Sequence, residues 1–202
     1  MEIKKQLGMI YLVRHGETKW NFADRYQGHL DSPLTPKGIE QSHAVGRTLR
    51  RVLPDNQTVC LETSPLGRAG ETAAIVCAEI GIEERSITIS PLLIEHNLGD
   101  WHGLTRAEVA VKYPGARQAR ESDKWHYVVP GGESYELVAV RARQWLANKR
   151  LATVTIAVTH EMISRTIQGA YAGLTPAETL ERSHEHDRIY RLHDGEIEEI
   201  PS

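Results

Sequence analysis

Apolar and polar positions along the chain follow two alternating periods, which predicts strands and helices in turn. The apolar run 9–13 contains β-branched and aromatic residues, as a strand buried on both faces does. Thr35 and Pro36 then predict a helix start, because threonine is a good N-cap and proline suits the first helical position. Further predicted elements follow in chain order: an apolar helical stripe over 45–53, a strand over 59–63, a helical stripe over 69–80 closed by Gly81, a short strand over 87–89, a helix over 134–150, a strand over 154–158, a helical stripe over 163–174, and an edge hairpin of 189–192 and 197–200 around Asp194 and Gly195.

This alternation predicts an α/β fold with a mostly parallel central sheet flanked by helices on both faces. We expect residues 1–202 to form a single domain. Within it, the pattern weakens over 103–130, where a brief helix with a capping box at Thr105 and Glu108 precedes a charged stretch that contains Trp125. We interpret 103–130 as a small helical and loop excursion above the main domain.

Charge and cysteine content narrow the classes of partner. The 202 residues include 24 Lys and Arg against 27 Asp and Glu, a formal net charge of -3, which argues against a nucleic-acid or anionic membrane partner. Cys60 and Cys77 are predicted to be buried free thiols, which suits a reducing cytoplasm. Lys4 and Lys5 precede an apolar run, 7–13, that is too short for a membrane span and does not fit a secretory leader.

Polar groups follow four predicted strands where each of them ends. Arg14 and His15 follow the first strand, Arg68 follows the second at a helix start, Glu95 lies just past the third, and His160 follows the strand over 154–158. Because the carboxyl ends of parallel strands meet at one edge of a sheet, we expect these side chains to converge on one crevice.

This set of groups suits phosphoryl transfer. Forked guanidinium groups of Arg14 and Arg68, with the helix N-terminus beside His160, match a tetrahedral dianion. A neutral His15 can attack phosphorus, and the neighbouring cations disfavour its protonation. Glu95 can protonate the departing alkoxide and later accept a proton from water, and we expect a nearby dianion to raise its pKa.

Taken together, several motifs resemble the histidine phosphatase superfamily, phosphoglycerate-mutase-like branch, over nearly the whole chain. The matching residues are Arg14 to Thr18, Trp20-Asn21, Ser64 to Ala69, Glu95 followed by Gly99 to Gly103, Gly131 to Ser134, and Val158 to His160. The resemblance implies a phosphoglycerate-mutase-like fold over the single domain, with 103–130 covering the active site. It also implies that His15 is phosphorylated in turnover and that Glu95 donates the proton. The phosphate ligands that it implies are Arg14, Asn21, Arg68 and His160, and Gln27 and Gly28 would line the pocket. It implies that neither metal nor nucleotide takes part.

Some of these residues have simpler structural roles open to them. Asn21 is also a turn residue, Ser134 a helix N-cap, and Trp101 a packing anchor. His184 and His186 could be metal ligands, but their alternation is more typical of an edge strand that faces water. A non-catalytic phosphate-binding protein on the same fold is disfavoured, since the chain retains both the nucleophile and the acid.

The choice between hydrolase and mutase depends on a second anion clamp. Family mutases carry neighbouring arginines in a longer insertion and a tyrosine near the acid, whereas this chain has Leu98 there. The segment 103–130 offers only scattered cations: Arg106, Lys112, Arg117, Arg120 and Lys124. We therefore predict a hydrolase of a small phosphorylated metabolite, without a cofactor. The alternative is a phosphoglycerate mutase that depends on 2,3-bisphosphoglycerate.

Two further features bear on the substrate and the assembly. Glu161 stands where relatives often have a small residue, and we expect it to point away from the pocket or to contact a cationic substrate group. The segment 117–129 is predicted to cover the pocket and select the leaving group. The sequence does not determine the oligomeric state, and a homodimer is one of the states open to it.

Overall fold

The computed structural model describes residues 8–55, 57–149 and 154–202, and its centre is one six-stranded sheet. The order of strands across the sheet is β3-β2-β4-β1-β5-β6. The strands are β1 (Ile10–Arg14), β2 (Val59–Thr63), β3 (Thr88–Ile89), β4 (Val154–Thr159), β5 (Arg188–His193) and β6 (Glu196–Pro201).

Helices connect the strands and cover both faces of the sheet. They are α1 (Lys19–Phe22), α2 (Pro36–Val52), α3 (Gly67–Ile80), α4 (Arg106–Lys112), α5 (Ala116–Ser122), α6 (Tyr135–Ala147), α7 (Glu161–Ala172) and α8 (Pro176–Glu181). The local signals act as the sequence predicts: Thr35 accepts a hydrogen bond from the Gly38 amide at the start of α2, and Gly81 closes α3 with a left-handed φ of 76°.

The parallel part of the sheet consists of β1 to β4, and the carboxyl ends of these strands point the same way. β4 pairs in parallel with β1 on one side and with β2 on the other, and β3 adds to the outer side of β2. β5 and β6 form an antiparallel hairpin at the other edge. The predicted mixed α/β fold with a mostly parallel sheet and a terminal edge hairpin is therefore confirmed.

Helices cover β1 on both faces, which explains why its sequence has no polar face. Ile10 and Leu12 pack into the cluster under α6 and α7, whereas Tyr11 and Val13 pack into the cluster under α2 and α3. Successive strand residues point to opposite faces, so a strand covered on both sides must be apolar throughout. Such a strand is a rigid support for the polar residues that follow it.

The segment 103–130 has structure of its own, including one helix that the sequence pattern did not predict. The capping box predicted at Thr105 and Glu108 is present at the start of α4, and the additional helix is α5. A separate small cluster of buried Leu98, Trp101, Val109 and Val129 lies under it. Trp101 is a fully buried member of this cluster, so it is the packing anchor that the sequence analysis considered. That the segment covers the site stays a prediction.

One prediction about the cysteines is wrong. Cys77 is buried on α3, but Cys60 is exposed. The short strand β3 pairs only with Glu62 and Thr63 of β2, so the beginning of β2 lies at the edge of the sheet. Both thiols are free.

Two predictions fall partly outside the described residues. These are the leader interpretation of Lys4, Lys5 and the start of the run 7–13, and the end of the helix predicted over 134–150, since Arg150 is not described. The helix itself, α6, ends at Ala147. Among the described helices, none combines the length and apolar character needed to cross a membrane.

Candidate active site

A cavity of about 150 Å³ opens at the carboxyl ends of the parallel strands. Seven residues singled out from the sequence as site residues line it: Arg14, His15, Asn21, Gln27, Gly28, Arg68 and Glu95. His160 lies beneath the cavity, fully buried, with its ring centroid 5.1 Å from that of His15. The predicted convergence of the strand ends therefore occurs.

His15 is held in one orientation by hydrogen bonds to both ring nitrogens. Nδ1 lies 2.7 Å from the Gly16 carbonyl oxygen, and Nε2 lies 3.3 Å from Arg68 Nε. A guanidinium N–H can only donate, so Nε2 is the acceptor and the ring proton is on Nδ1. Gly16 has to be glycine, because a Cβ there would lie 2.2 Å from the Gly38 carbonyl oxygen. Nε2 is thus the unprotonated nitrogen of His15, and it lies against Arg68 where both residues line the cavity.

Burial keeps His15 in its neutral form. Its pKa lies well below the ordinary value of 6.5, first because the ring is buried and then because His160, Arg68 and Arg14 surround it. The sequence predicted the influence of the cations. It did not predict the larger contribution from burial, which depends on how the loops close over the ring. A neutral imidazole is the nucleophilic form.

Arg68 is completely buried and already hydrogen-bonded on several sides. Its Nη1 forms an ion pair with Asp31 at 2.9 Å and donates to the Leu30 carbonyl, while Nη2 donates to the Gly28 carbonyl at 2.8 Å. These contacts fix the plane of the guanidinium group. Asp31, which was not predicted as a site residue, also accepts from the Gly67 amide at the start of α3.

Arg14 is oriented by two acceptors. Nη1 donates to the His184 carbonyl oxygen at 2.7 Å, and Nη2 lies 3.3 Å from Oε2 of Glu161. Glu161 lines the cavity, so the expectation that it points away is wrong. Both of its carboxylate oxygens have cationic partners that hold it there: Oε2 pairs with Arg14, and Oε1 accepts a hydrogen bond from Arg165 at 2.8 Å.

Two buried polar atoms beside His15 lack partners within the described ranges. They are Nε of Arg14 and Nδ1 of His160. The other ring nitrogen of His160 lies 2.7 Å from the Ser64 hydroxyl, and its pKa is well below 6.5 because it is buried and close to Arg68 and Arg14. Buried donors normally have acceptors, so Nε of Arg14, which can only donate, indicates where a ligand oxygen fits.

Glu95 occupies the helix N-terminus that the sequence analysis assigned to phosphate. Its carboxylate accepts hydrogen bonds from the backbone amides of Met162 at 3.3 Å and Ile163 at 3.2 Å, in the first turn of α7. For the amides of Met162 and Ile163 the assignment to the ligand is therefore wrong, because a side chain already satisfies them.

The pKa of Glu95 is raised above its ordinary value of 4.5, chiefly by burial. The hydrogen bonds from the His96 and Met162 amides and the charge of Arg68 oppose the shift, while the charge of Glu161 adds to it. The sequence analysis expected a dianion to cause this rise. Burial, with a contribution from Glu161, causes the rise without a dianion, and a raised pKa favours the role of proton donor.

The wall formed by Asn21, Gln27 and Gly28 is built around Thr18. Thr18 caps α1 and forms the reciprocal capping box with Asn21, and its hydroxyl also lies 3.0 Å from Gln27 Oε1. Gly28 has a left-handed φ of 50°, and a Cβ there would lie 2.2 Å from His102 Nε2. Asn21 is therefore a residue of the capping box of α1, not of a turn, and it also lines the cavity.

A loop before β5 forms a part of the site that the sequence did not reveal. His186 Nδ1 lies 2.6 Å from the His15 carbonyl oxygen, and the fully buried His184 ring lies 2.6 Å from the Ser164 hydroxyl. The interpretation of these two histidines as water-facing strand residues is wrong, because they precede the strand and pack inward. In the described part of the chain, no three His, Cys, Asp or Glu side chains are placed to hold a metal ion.

The chain belongs to the histidine phosphatase superfamily (branch 1), whose family model matches residues 10–196. With this match, the predicted class of phosphoryl-transfer enzymes is confirmed.

Individual relatives include both hydrolases and mutases by name. A metal-independent phosphoserine phosphatase of Arabidopsis thaliana is 33% identical over 83% of this chain and 70% of its own length. A probable phosphoglycerate mutase of Erwinia tasmaniensis is 36% identical over 68% of this chain and 60% of its own length. For several of the curated relatives, the matched stretch spans less than two thirds of their length.

Among solved structures, mycobacterial glucosyl-3-phosphoglycerate phosphatase in complex with VO3 superposes with a TM-score of 0.77. It is 26% identical, and the superposition covers 96% of this chain and 97% of that one. The fold of this chain is thus the fold of a phosphatase solved with an oxyanion.

Proposed function

We propose that this protein is a phosphomonoester hydrolase that acts on a small phosphorylated metabolite through a phosphohistidine at His15. The observation that carries the proposal is that His15, whose Nε2 is unprotonated, lines one cavity together with Arg14, Arg68 and Glu95. A neutral nucleophile, two guanidinium groups and a buried acid are the groups that a two-step phosphoryl transfer requires.

In the first step, Nε2 of His15 attacks phosphorus and the bond from phosphorus to the ester oxygen breaks. Glu95 gives its proton to that oxygen, and the alcohol leaves. Arg14 and Arg68 bind the phosphoryl oxygens, and His160 with Asn21 completes the set of phosphate ligands. Gln27 and Gly28 form the wall of the pocket. Charge that develops on the phosphoryl oxygens is stabilised by donors fixed in advance by Asp31 and the His184 carbonyl.

In the second step, water attacks the phosphohistidine and Glu95 accepts its proton. The bond between phosphorus and Nε2 breaks, inorganic phosphate leaves, and His15 is again neutral. Every proton is accounted for, because the one that Glu95 donates in the first step returns to it in the second.

Hydrolysis is favoured over mutase activity by the ion pairs around the cavity. Apart from Arg14 and Arg68, which bind the transferred phosphoryl group, the arginines that line the cavity are Arg25 and Arg106, and each has a carboxylate partner, Glu108 and Asp24. A mutase has to bind a second phosphoryl group, which needs further cations, and these two are already neutralised. Leu98 on the cavity wall is also apolar.

We further propose that the protein acts in the cytoplasm, where the exposed free thiol of Cys60 stays reduced. The segment 103–130 is proposed to cover the cavity, since Arg106 at the start of α4 lines it.

The test is a panel of phosphate esters that includes phosphoserine, 3-phosphoglycerate and an aryl phosphate, with and without 2,3-bisphosphoglycerate. Released phosphate and isomerised product are measured separately. We expect phosphate release from at least one ester without any added cofactor. Isomerisation of 3-phosphoglycerate much faster than phosphate release would instead assign the mutase activity.

A further inference from the structure

Glu161 places a negative charge between two arginines at the edge of the candidate site. Its Oε2 lies 3.3 Å from Arg14 Nη2, and its Oε1 accepts from Arg165 Nη2 at 2.8 Å. The side chain is about one-third exposed and lines the cavity. A carboxylate therefore lies beside the pocket in which a phosphate dianion would bind.

Arg14 has limited capacity for a ligand while Glu161 is present. Nη1 is bound to the His184 carbonyl, Nη2 faces Glu161, and Nε has no partner within the described ranges. A phosphoryl group can use Nε directly. A forked contact through Nε and Nη2, the stronger arrangement for an oxyanion, requires it to share Nη2 with the carboxylate.

Glu161 does not depend on Arg14 for its position. Arg165 is buried and anchored in turn, since its Nη1 lies 3.4 Å from the Tyr135 hydroxyl and 3.3 Å from the Leu180 carbonyl oxygen. The carboxylate is thus held on its far side by a fixed cation. An arriving dianion meets this charge instead of displacing it, and like charges at short range repel.

We propose that Glu161 is a positioning residue that shares Arg14 with the phosphoryl group. Before substrate binds, it holds the guanidinium of Arg14 in place, and after turnover it weakens the binding of free phosphate to the site. This inference rests on the proposed function, in which Arg14 binds the phosphoryl group. A hydrolase has to release phosphate after each cycle, so a carboxylate at this place favours hydrolysis with little product inhibition.

The main test compares the wild-type protein with Glu161→Gln, which keeps the size and an acceptor oxygen but removes the charge. Binding of inorganic phosphate is measured by titration calorimetry, and its inhibition constant is measured in the hydrolysis assay. We expect both constants to fall about threefold to tenfold in Glu161→Gln, the range for removing one partly screened repulsive charge. The KM for a simple phosphate ester falls with them.

Glu121→Gln is the matched control, because Glu121 also pairs with an arginine, Arg120, but does not line the cavity. We expect its phosphate constants to stay within about twofold of the wild type, because the exposed Glu121 carboxylate lies outside the cavity and is screened by solvent. A fall equal to that in Glu161→Gln would show that net charge alone is responsible and would overturn the inference.

Glu161→Ala separates holding Arg14 from repelling phosphate. Alanine removes the charge and also the acceptor for Nη2, so kcat should drop below that of Glu161→Gln while phosphate still binds more tightly than to the wild type. Hydrolysis with equal phosphate constants in the wild type and Glu161→Gln would overturn this inference alone. Absence of both phosphate binding and hydrolysis in the wild type would overturn the proposed function as well.

Discussion

Arg68 donates a hydrogen bond from Nε to Nε2 of His15 across 3.3 Å. This contact leaves Nε2 as the unprotonated nitrogen of His15 and places a positive charge where the phosphoryl group must arrive. Because Arg68 is itself fixed by Asp31 and two backbone carbonyls, the orientations of the His15 ring and of the Arg68 guanidinium group are determined before any ligand binds. Such preorganisation lowers the cost of reaching the transition state.

Replacing Arg68 by lysine tests this relationship. Lysine keeps the charge but has no fork, so it cannot contact His15, Gly28 and a phosphoryl oxygen together. We expect kcat/KM for an aryl phosphate to fall about a hundredfold to a thousandfold. Arg47→Lys is the control, because Arg47 forms an exposed ion pair with Glu40 and should leave kcat/KM unchanged. A loss below about threefold in Arg68→Lys would contradict the assigned role.

The covalent intermediate is tested with His15→Ala. We expect this variant to lose at least about a thousandfold in kcat, as nucleophile deletions do. It should also fail to acquire the acid-labile phosphate label that the wild type acquires from a labelled substrate. Labelling that persists in His15→Ala would place the covalent step on another residue.

Glu95→Gln separates the two proton transfers. An aryl phosphate has a good leaving group and needs no proton for the first step, whereas the second step still needs a base. We therefore expect Glu95→Gln to accumulate phosphohistidine from an aryl phosphate, detected by rapid quench, while turnover slows. Unchanged steady-state labelling together with normal turnover would exclude Glu95 as the base.

The pH dependence of kcat/KM follows from the two shifted pKa values. The pKa of His15 is lowered below 6.5, so its protonation reduces the rate only in acid, and the pKa of Glu95 is raised above 4.5, so its deprotonation reduces the rate at higher pH. We expect a bell-shaped profile for an alkyl phosphate. In Glu95→Gln the fall on the alkaline side should be absent for the same ester, and its persistence would assign that limb to another group.

The sequence predicted the parts of the site that depend on strand order. His15, Arg68 and Glu95 lie together because the carboxyl ends of β1 to β4 point one way, and this follows from alternating strand and helix patterns. The partners of these residues were not predictable. Asp31 and His186 lie on loops, where no periodicity indicates which way a side chain points.

Two errors have the same physical origin. A helix N-terminus beside His160 is an anion site in general, but Glu95 from a distant loop satisfies it here. One of the two expectations for Glu161 was that it points away from the pocket, but Arg165, one turn further along α7, and Arg14 from β1 hold it at the cavity wall. In both cases a residue that is distant in the sequence provides the binding partner. The spacing of residues along the chain does not indicate such long-range contacts.

Buried histidines make the folded state sensitive to acid. The pKa values of His96 and His186 are lowered to about 4, and that of His184 to about 3, in each case mainly by burial. These groups have a pKa near 6.5 when the chain is unfolded, so between that value and about 4 the unfolded chain binds more protons than the folded one. Their contribution to stability is therefore complete above pH 6.5 and is lost as the pH falls.

We expect the free energy of unfolding in urea to stay nearly constant from pH 7.5 to about pH 7 and to decline as the pH falls from about 6.5 to 5. Each such histidine adds up to about 1.4 kcal/mol per pH unit to the slope below pH 6.5. His186→Asn provides the comparison, because an asparagine amide can still donate to the His15 carbonyl but does not titrate in this range. The slope gives the number of protons that the chain takes up on unfolding, and this number should be smaller in the variant than in the wild type by about one. An identical slope in the two proteins would mean that His186 is not kept neutral by its burial beside His15 and Arg14.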